Sequence, residues 1–170
     1  NFNKYLDLDR CYTRVAVPVE NGTYLCIYNV HLSAYGNDAE LGKKQVTMLL
    51  EDMQADYNKG NYVICGGDFN HDLKLAEGDE ASETWAQPFP RSMLPAEFKM
   101  AMDYLSAERI ATTINTSRDS GKPYELLKSK TYMLDGFLIS DNIEFVDLNT
   151  INSGFEYSDH NPLMLYFRLK

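Results

Sequence analysis

The sequence predicts a mixed α/β sandwich. Six short runs rich in β-branched and aromatic residues read as strands: "YTRVAVPV", "TYLCIYNVHL", "YVIC", "KTYMLDGFLIS", "IEFVDLNTI" and "PLMLYFRLK". One strongly periodic helix stands between two of them. The length of 170 residues fits a single domain with a sizeable core, and no repeat or internal linker divides residues 1–170.

The first two runs flank Glu20-Asn21-Gly22. Asn-Gly between apolar runs predicts a hairpin with a type I′ turn, whose central residues need positive φ. The second strand ends near His31. Residues 38–59 form the helix, because Val46, Leu49, Leu50, Met53 and Tyr57 fall on one 3.6-period stripe. Asp38 is its expected N-cap and Gly60 its C′ stop. "YVIC" is then a short buried strand that "GGDFNHD" leaves. Residues 74–95 read as a long loop with three prolines and the only tryptophan, Trp85. "PAEFKMAMDYLSAE" reads as a second helix, and residues 111–129 as polar and turn-rich. The remaining three runs are strands, with "SGFEYSDHN" between the last two.

The net charge is −9. An acidic chain has no general electrostatic pull on nucleic acid; only a local basic groove or a bound metal would supply one. The apolar runs are too short to span a bilayer. Cys11, Cys26 and Cys65 lie in or beside strand-like runs and are expected to be buried, and no zinc-type spacing exists. The opening Asn1-Phe2-Asn3 carries neither a start methionine nor a leader, as expected of a chain that begins inside a longer protein.

All three histidines, His31, His71 and His160, stand at or just after predicted strand ends beside polar residues. Sites on sheet scaffolds are built there. Asp159-His160 fits a catalytic acid–imidazole pair and an Asx-turn equally well. Asp135 stands amid an apolar strand, where a carboxylate needs a partner. It is either a bulge residue reaching solvent or the group that orients a histidine of a neighbouring strand. Asp68, Asn70 and Asp72 imitate the start of an EF-hand loop. That loop is excluded, because Leu73 stands at its sixth position and Asp79 at its twelfth. Gly66 and Gly67 suit a sharp turn or close approach to a ligand.

"NVHLSAYG", "GGDFN", "LDGFLIS" and "SDH", in that order, resemble the endonuclease/exonuclease/phosphatase superfamily, the deoxyribonuclease I-like metal-dependent phosphoesterases. The resemblance runs from about Tyr12 to the C-terminus. It implies a four-layer α/β sandwich with two packed β-sheets, of which this chain is the C-terminal part. It also implies residue roles. Asp68 would engage the attacking water or a metal, and Asn70 would bind phosphate. His160 would be general base or transition-state stabiliser, Asp159 a metal-site carboxylate, and Asp135 the hydrogen-bond partner of His160. His31 would donate to a phosphate oxygen, supported by Asn29. His71 and Asp72 match no motif; they either support the site residues from behind or merely form a turn, and the turn is the reading preferred.

The cofactor implied is Mg²⁺ or Mn²⁺, since oxygen ligands suit hard cations and phosphoester hydrolysis needs an activated water and charge stabilisation. Nothing before Tyr12 matches the superfamily's N-terminal half, which carries a metal-binding Glu. The chain is therefore expected to be a partial domain, nearly inactive alone, with the missing half of the same protein as its partner. The predicted function is a divalent-metal-dependent phosphoester hydrolase. The alternatives are a repair-type DNA endonuclease and a non-catalytic α/β binding domain. The substrate is expected to be a small or lipid-borne phosphoester rather than duplex DNA. Carboxylates follow the site (Asp72, Glu77, Asp79, Glu80, Glu83), and Trp85 with Phe89 would offer an apolar wall. The loops 85–95 and 112–128 would set specificity.

Overall fold

The computed structural model describes residues 10–20, 22–34, 39–78 and 85–170. Nine strands and two α-helices are described: β1 (Cys11–Pro18), β2 (Tyr24–His31), α1 (Ala39–Tyr57), β3 (Tyr62–Asp68), β4 (Phe98–Met100), α2 (Ala107–Thr112), β5 (Ser117–Arg118), β6 (Thr131–Tyr132), β7 (Asp135–Ser140), β8 (Ile143–Thr150) and β9 (Leu163–Leu169). The main sheet has the order β1-β2-β3-β7-β4, and β5-β6 and β8-β9 form two small ribbons. Among the described strands only β2 and β3 pair in parallel, which the crossover through α1 permits.

Strand alternation divides the main sheet into two packed faces. Cys26, Tyr28, Val30, Val63, Cys65 and Leu138 point to one face and meet Val46, Leu49, Leu50 and Met53 of α1. The predicted helical stripe is thus the buried one, and each such side chain contributes roughly 1.5–3 kcal/mol. Tyr62, Ile64 and Ile139 point to the other face and pack against Ile143 and Phe145 of β8 and Leu165 and Phe167 of β9. A buried carboxylate fastens α1 to the sheet. Asp56 accepts from Nε and Nη2 of Arg14, from the Tyr28 hydroxyl at 2.7 Å and from Lys59 at 3.2 Å. Burial alone would raise its pKa, but these donors hold it far below the carboxylate range.

Helix α1 stops where expected: Gly60 has φ +83 and its N–H donates to the Tyr57 carbonyl at 2.8 Å. Its expected N-cap, Asp38, lies outside the described residues. The β1-β2 hairpin is present, with a wider connection than a two-residue turn. Val19 and Thr23 still pair, and Gly22 at φ +80 closes a three-residue loop through its N–H to the Val19 carbonyl. Asn21 lies outside the described residues.

The expected helix over "PAEFKMAMDYLSAE" is not formed. Phe98 and Met100 alternate into the core as β4, which covers the edge of β7; a 3-10 turn at Ala101–Tyr104 follows. Cys11 is exposed, because alternate residues of the edge strand β1 face the open side of the sheet. His71 is no surface turn residue. It is fully buried against Phe89, its Nδ1 lies 2.5 Å from the Phe69 carbonyl, and burial lowers its pKa to about 4. Phe89 is likewise a core residue, packed edge-on against Phe69, and offers no wall to a substrate. Trp85 is half-exposed against Tyr132. Asp79, Glu80 and Glu83 lie outside the described residues.

Candidate active site

Strand register assembles the site. His31 stands beside Asp68 in the β2-β3 pair, and Asp68 stands opposite Asp135 in the β3-β7 pair. Three polar residues from three strands therefore form one row across the sheet end, on one face. His160 joins them from the loop before β9, which bridges to Ser117 of β5. Asn161 pins that loop: it is buried, accepts from Ser153, and donates to the Asn115 carbonyl at 3.1 Å. The Thr116 hydroxyl, buried beside it, accepts the N–H groups of Leu134 and Asp135 and fixes the start of β7.

Asp68 Oδ2 lies between two imidazoles, 3.4 Å from His31 Nε2 and 3.9 Å from His160 Nε2. Its other oxygen accepts the Asn70 N–H at 2.8 Å. Asp135 Oδ2 lies 2.7 Å from His160 Nδ1, the contact expected from the stranded carboxylate. That bond raises the His160 pKa, against the effect of burial. With Nδ1–H committed to Asp135, Nε2 keeps its lone pair, to which the Ser117 hydroxyl, at 3.2 Å, can donate. Burial raises the Asp68 pKa, and Asp135 nearby adds to the rise. Burial lowers the His31 pKa, and the Arg10 guanidinium, which donates to His31 Nε2, lowers it further.

Asn29 is exposed two residues before His31, on the same face. It lines a cleft of about 530 Å³ that runs down this face from Asp135 and His160, past Gly66 and Phe137, to Leu163. Asn70 sits at φ +50, and its amide donates to the Leu32 carbonyl at 2.7 Å, tying the loop after β3 to the end of β2. The two glycines belong to β3 itself rather than to a turn. A Cβ on Gly66 would stand 2.4 Å from the Phe137 ring. Gly67, at φ +137, has the Val30 carbonyl oxygen where a Cβ would go.

The donor set for a divalent metal is incomplete. Asp68 has one carboxylate oxygen facing the site, while Asp135 is engaged by His160. The Asp159 carboxylate makes no bond to a described residue; only its backbone carbonyl does, to Arg118 N–H at 3.0 Å. Among the described residues no group of three His, Cys, Asp or Glu side chains is placed to hold a metal. A hard cation takes about six oxygens, so these residues alone do not fit one.

Arg10 and Ser117 were not apparent in the sequence. Ser117 sits in a turn-rich segment, and only the pairing of a two-residue strand brings it to His160. Arg10 precedes the first strand, and its place beside His31 follows from the Cys11–His31 register.

No protein-family profile matches the chain, and no curated protein does. Solved structures do. A D. rerio TDP2 complexed with a single-strand DNA product matches with TM-score 0.66 and 18% identity, over 94% of this chain and 62% of that one. An endonuclease/exonuclease/phosphatase protein from Beutenbergia cavernae DSM 12333 matches with TM-score 0.67 and 16% identity, over 95% and 40%. The human Nocturnin catalytic domain with bound sulfate matches with TM-score 0.57 and 21% identity, over 96% and 54%. The chain spans less than two thirds of each. It has the α/β fold of these structures, the deoxyribonuclease I-like fold, and covers part of each.

Proposed function

We propose that the protein is a phosphoester hydrolase whose site is the row His31, Asp68, Asp135 with His160. One observation carries this: Asp68 Oδ2 is bracketed by two imidazole Nε2 atoms, one of them held in a fixed tautomer by Asp135. His160 Nε2 takes a proton from a water that attacks phosphorus, while the bond to the leaving oxygen breaks in line. Asp135 stabilises the imidazolium that forms. Asp68 accepts a hydrogen bond from the water and orients it. At the other end of the row, the Arg10 guanidinium, held in place by His31 Nε2, meets the charge that grows on the phosphate oxygens.

A divalent cation, Mg²⁺ or Mn²⁺, would add charge stabilisation. The resemblance assigns Asp68 and Asp159 to it, and further ligands would come from outside the described residues. Val15 and Val17, exposed on the open face of β1, suit further chain of the same protein. The full-length protein is therefore the enzyme, and the isolated chain is nearly inactive.

A small or lipid-borne phosphoester suits this acidic chain better than a duplex, which is gripped by tracks of Lys and Arg. The test is hydrolysis by the full-length protein, with Mg²⁺, Mn²⁺ or a chelator. The substrates are bis(p-nitrophenyl) phosphate, a nucleotide, a phospholipid and plasmid DNA. Metal-stimulated turnover of a small or lipid ester, faster than plasmid cleavage, is the expected result. Salt-sensitive plasmid cleavage alone would make it a DNA nuclease, and no turnover of any ester would remove the hydrolase.

A further inference from the structure

Among the described residues the most exposed large apolar side chains are Leu127 at 96%, Tyr157 at 88% and Leu126 at 72%. They belong to two loops at one corner. Leu126 and Leu127 stand in the connection between β5 and β6, and Tyr157 in the loop between β8 and β9. The loops are joined by the Tyr124–Phe155 ring contact at 4.9 Å and by the Arg118 N–H to the Asp159 carbonyl. The cavity of about 350 Å³ in the β5-β6 connection is lined by Asp119, Lys122, Pro123, Glu125, Lys128, Ser129 and Lys130, and neither leucine lines it.

The backbone adds a second observation. Leu127 has φ +64 and Phe155 has φ +54, two of only three positive-φ residues other than glycine among those described. The left-handed region disfavours a leucine, and Leu127 buries almost nothing in exchange. It is nevertheless held there. The Glu125 carbonyl accepts the N–H groups of Lys128 at 3.0 Å and Ser129 at 2.9 Å, and the Ser129 hydroxyl accepts the Glu125 N–H at 2.9 Å. A tight turn fixes both leucines outward, and such strain at an exposed tip points to a role outside folding.

Charge selects the partner. Residues 118–130 carry Arg118, Lys122, Lys128 and Lys130 against Asp119 and Glu125, in a chain of net charge −9. Glu125 is paired with Lys128 at 2.7 Å. The adjoining loop carries Glu156 and Asp159 on either side of Tyr157, so the attraction resides in the lysine-bearing loop. Apolar tips flanked by lysine, with a tyrosine alongside, match a membrane interface with anionic headgroups. No helix among the described residues is long and apolar enough to cross a membrane, so the contact is one of docking.

We infer that the β5-β6 loop is a docking tip for an anionic lipid surface. It grows from the strand whose Ser117 touches His160, so a docked tip holds the site at the headgroup layer. That consequence, a lipid-borne phosphoester as substrate, rests on the hydrolase proposed above; the docking itself does not.

The test is co-sedimentation of the full-length protein with vesicles of equal parts phosphatidylcholine and phosphatidylserine. Binding is expected there and much less with phosphatidylcholine alone. Leu126→Glu with Leu127→Glu should lower the bound fraction at least about tenfold, since two apolar side chains lose their burial. Leu127→Gly relieves the left-handed strain, so it should keep or raise Tm while weakening vesicle binding. Absent sedimentation, equal binding to both vesicles, or equal binding by the double variant would overturn the inference. So would leucine-dependent self-association without vesicle binding. Vesicle binding without hydrolysis of any ester would retain the docking tip and remove the hydrolase.

Discussion

Asp68→Asn and His160→Gln are each expected to cut phosphoester turnover by the full-length protein at least about a hundredfold, the usual contribution of a proton-transfer or electrostatic group. Asp68→Asn replaces the acceptor between the two imidazoles by an amide that presents hydrogens to one of them. His160→Gln removes the Nε2 lone pair and the imidazolium that Asp135 stabilises. The pH dependence carries its own sign. A base must be neutral, and the Asp135 bond raises the His160 pKa above its ordinary 6.5. Turnover should therefore rise with pH through a midpoint above 6.5, and Asp135→Asn should move that midpoint down. His71→Gln serves as the contrast. It disturbs a core residue held by the Phe69 carbonyl and the Phe89 ring, so activity per folded molecule should change little. Equal losses at His71 and His160 would contradict the assignment.

Gly67→Ala is expected to destabilise the fold by more than about 4 kcal/mol, in the range reserved for backbone conflict. The added Cβ would stand 2.1 Å from the Val30 carbonyl oxygen, a backbone atom, and φ +137 is open only to glycine. Neither strand can yield without breaking the β2-β3 pair that sets His31 beside Asp68. Gly66→Ala meets only the Phe137 ring, which can rotate, so about 1–3 kcal/mol is expected there. Urea midpoints of the two variants give the comparison. Equal midpoints would show that the register of β2 and β3 does not hold the site.

Much of this architecture was legible because it follows local periodicity. The stripe of α1, the stop at Gly60 and the strands on either side are set by alternation and turn chemistry. Asp135 was legible for another reason: a carboxylate inside "YMLDGFLIS" demands a partner, and His160 meets that demand. What sequence could not show depends on distant pairing. Phe98 and Met100 look helical locally, yet β7 leaves an edge that they cover. Phe89 and His71 look like loop residues and prove to be core, because the loop folds back over the end of the sheet. Ser117 and Arg10 reach the histidines only through register, which no local pattern encodes.

The central claim is that one phosphate-accepting site lies between His31 and His160. The most direct measurement is an NMR titration of the ring signals of His31, His71 and His160 in the full-length protein with inorganic phosphate. The account predicts saturable shifts at His31 and His160 and none at His71, abolished at His31 by Asp68→Asn. Unmoved signals at both His31 and His160, or an equal shift at buried His71, would contradict it.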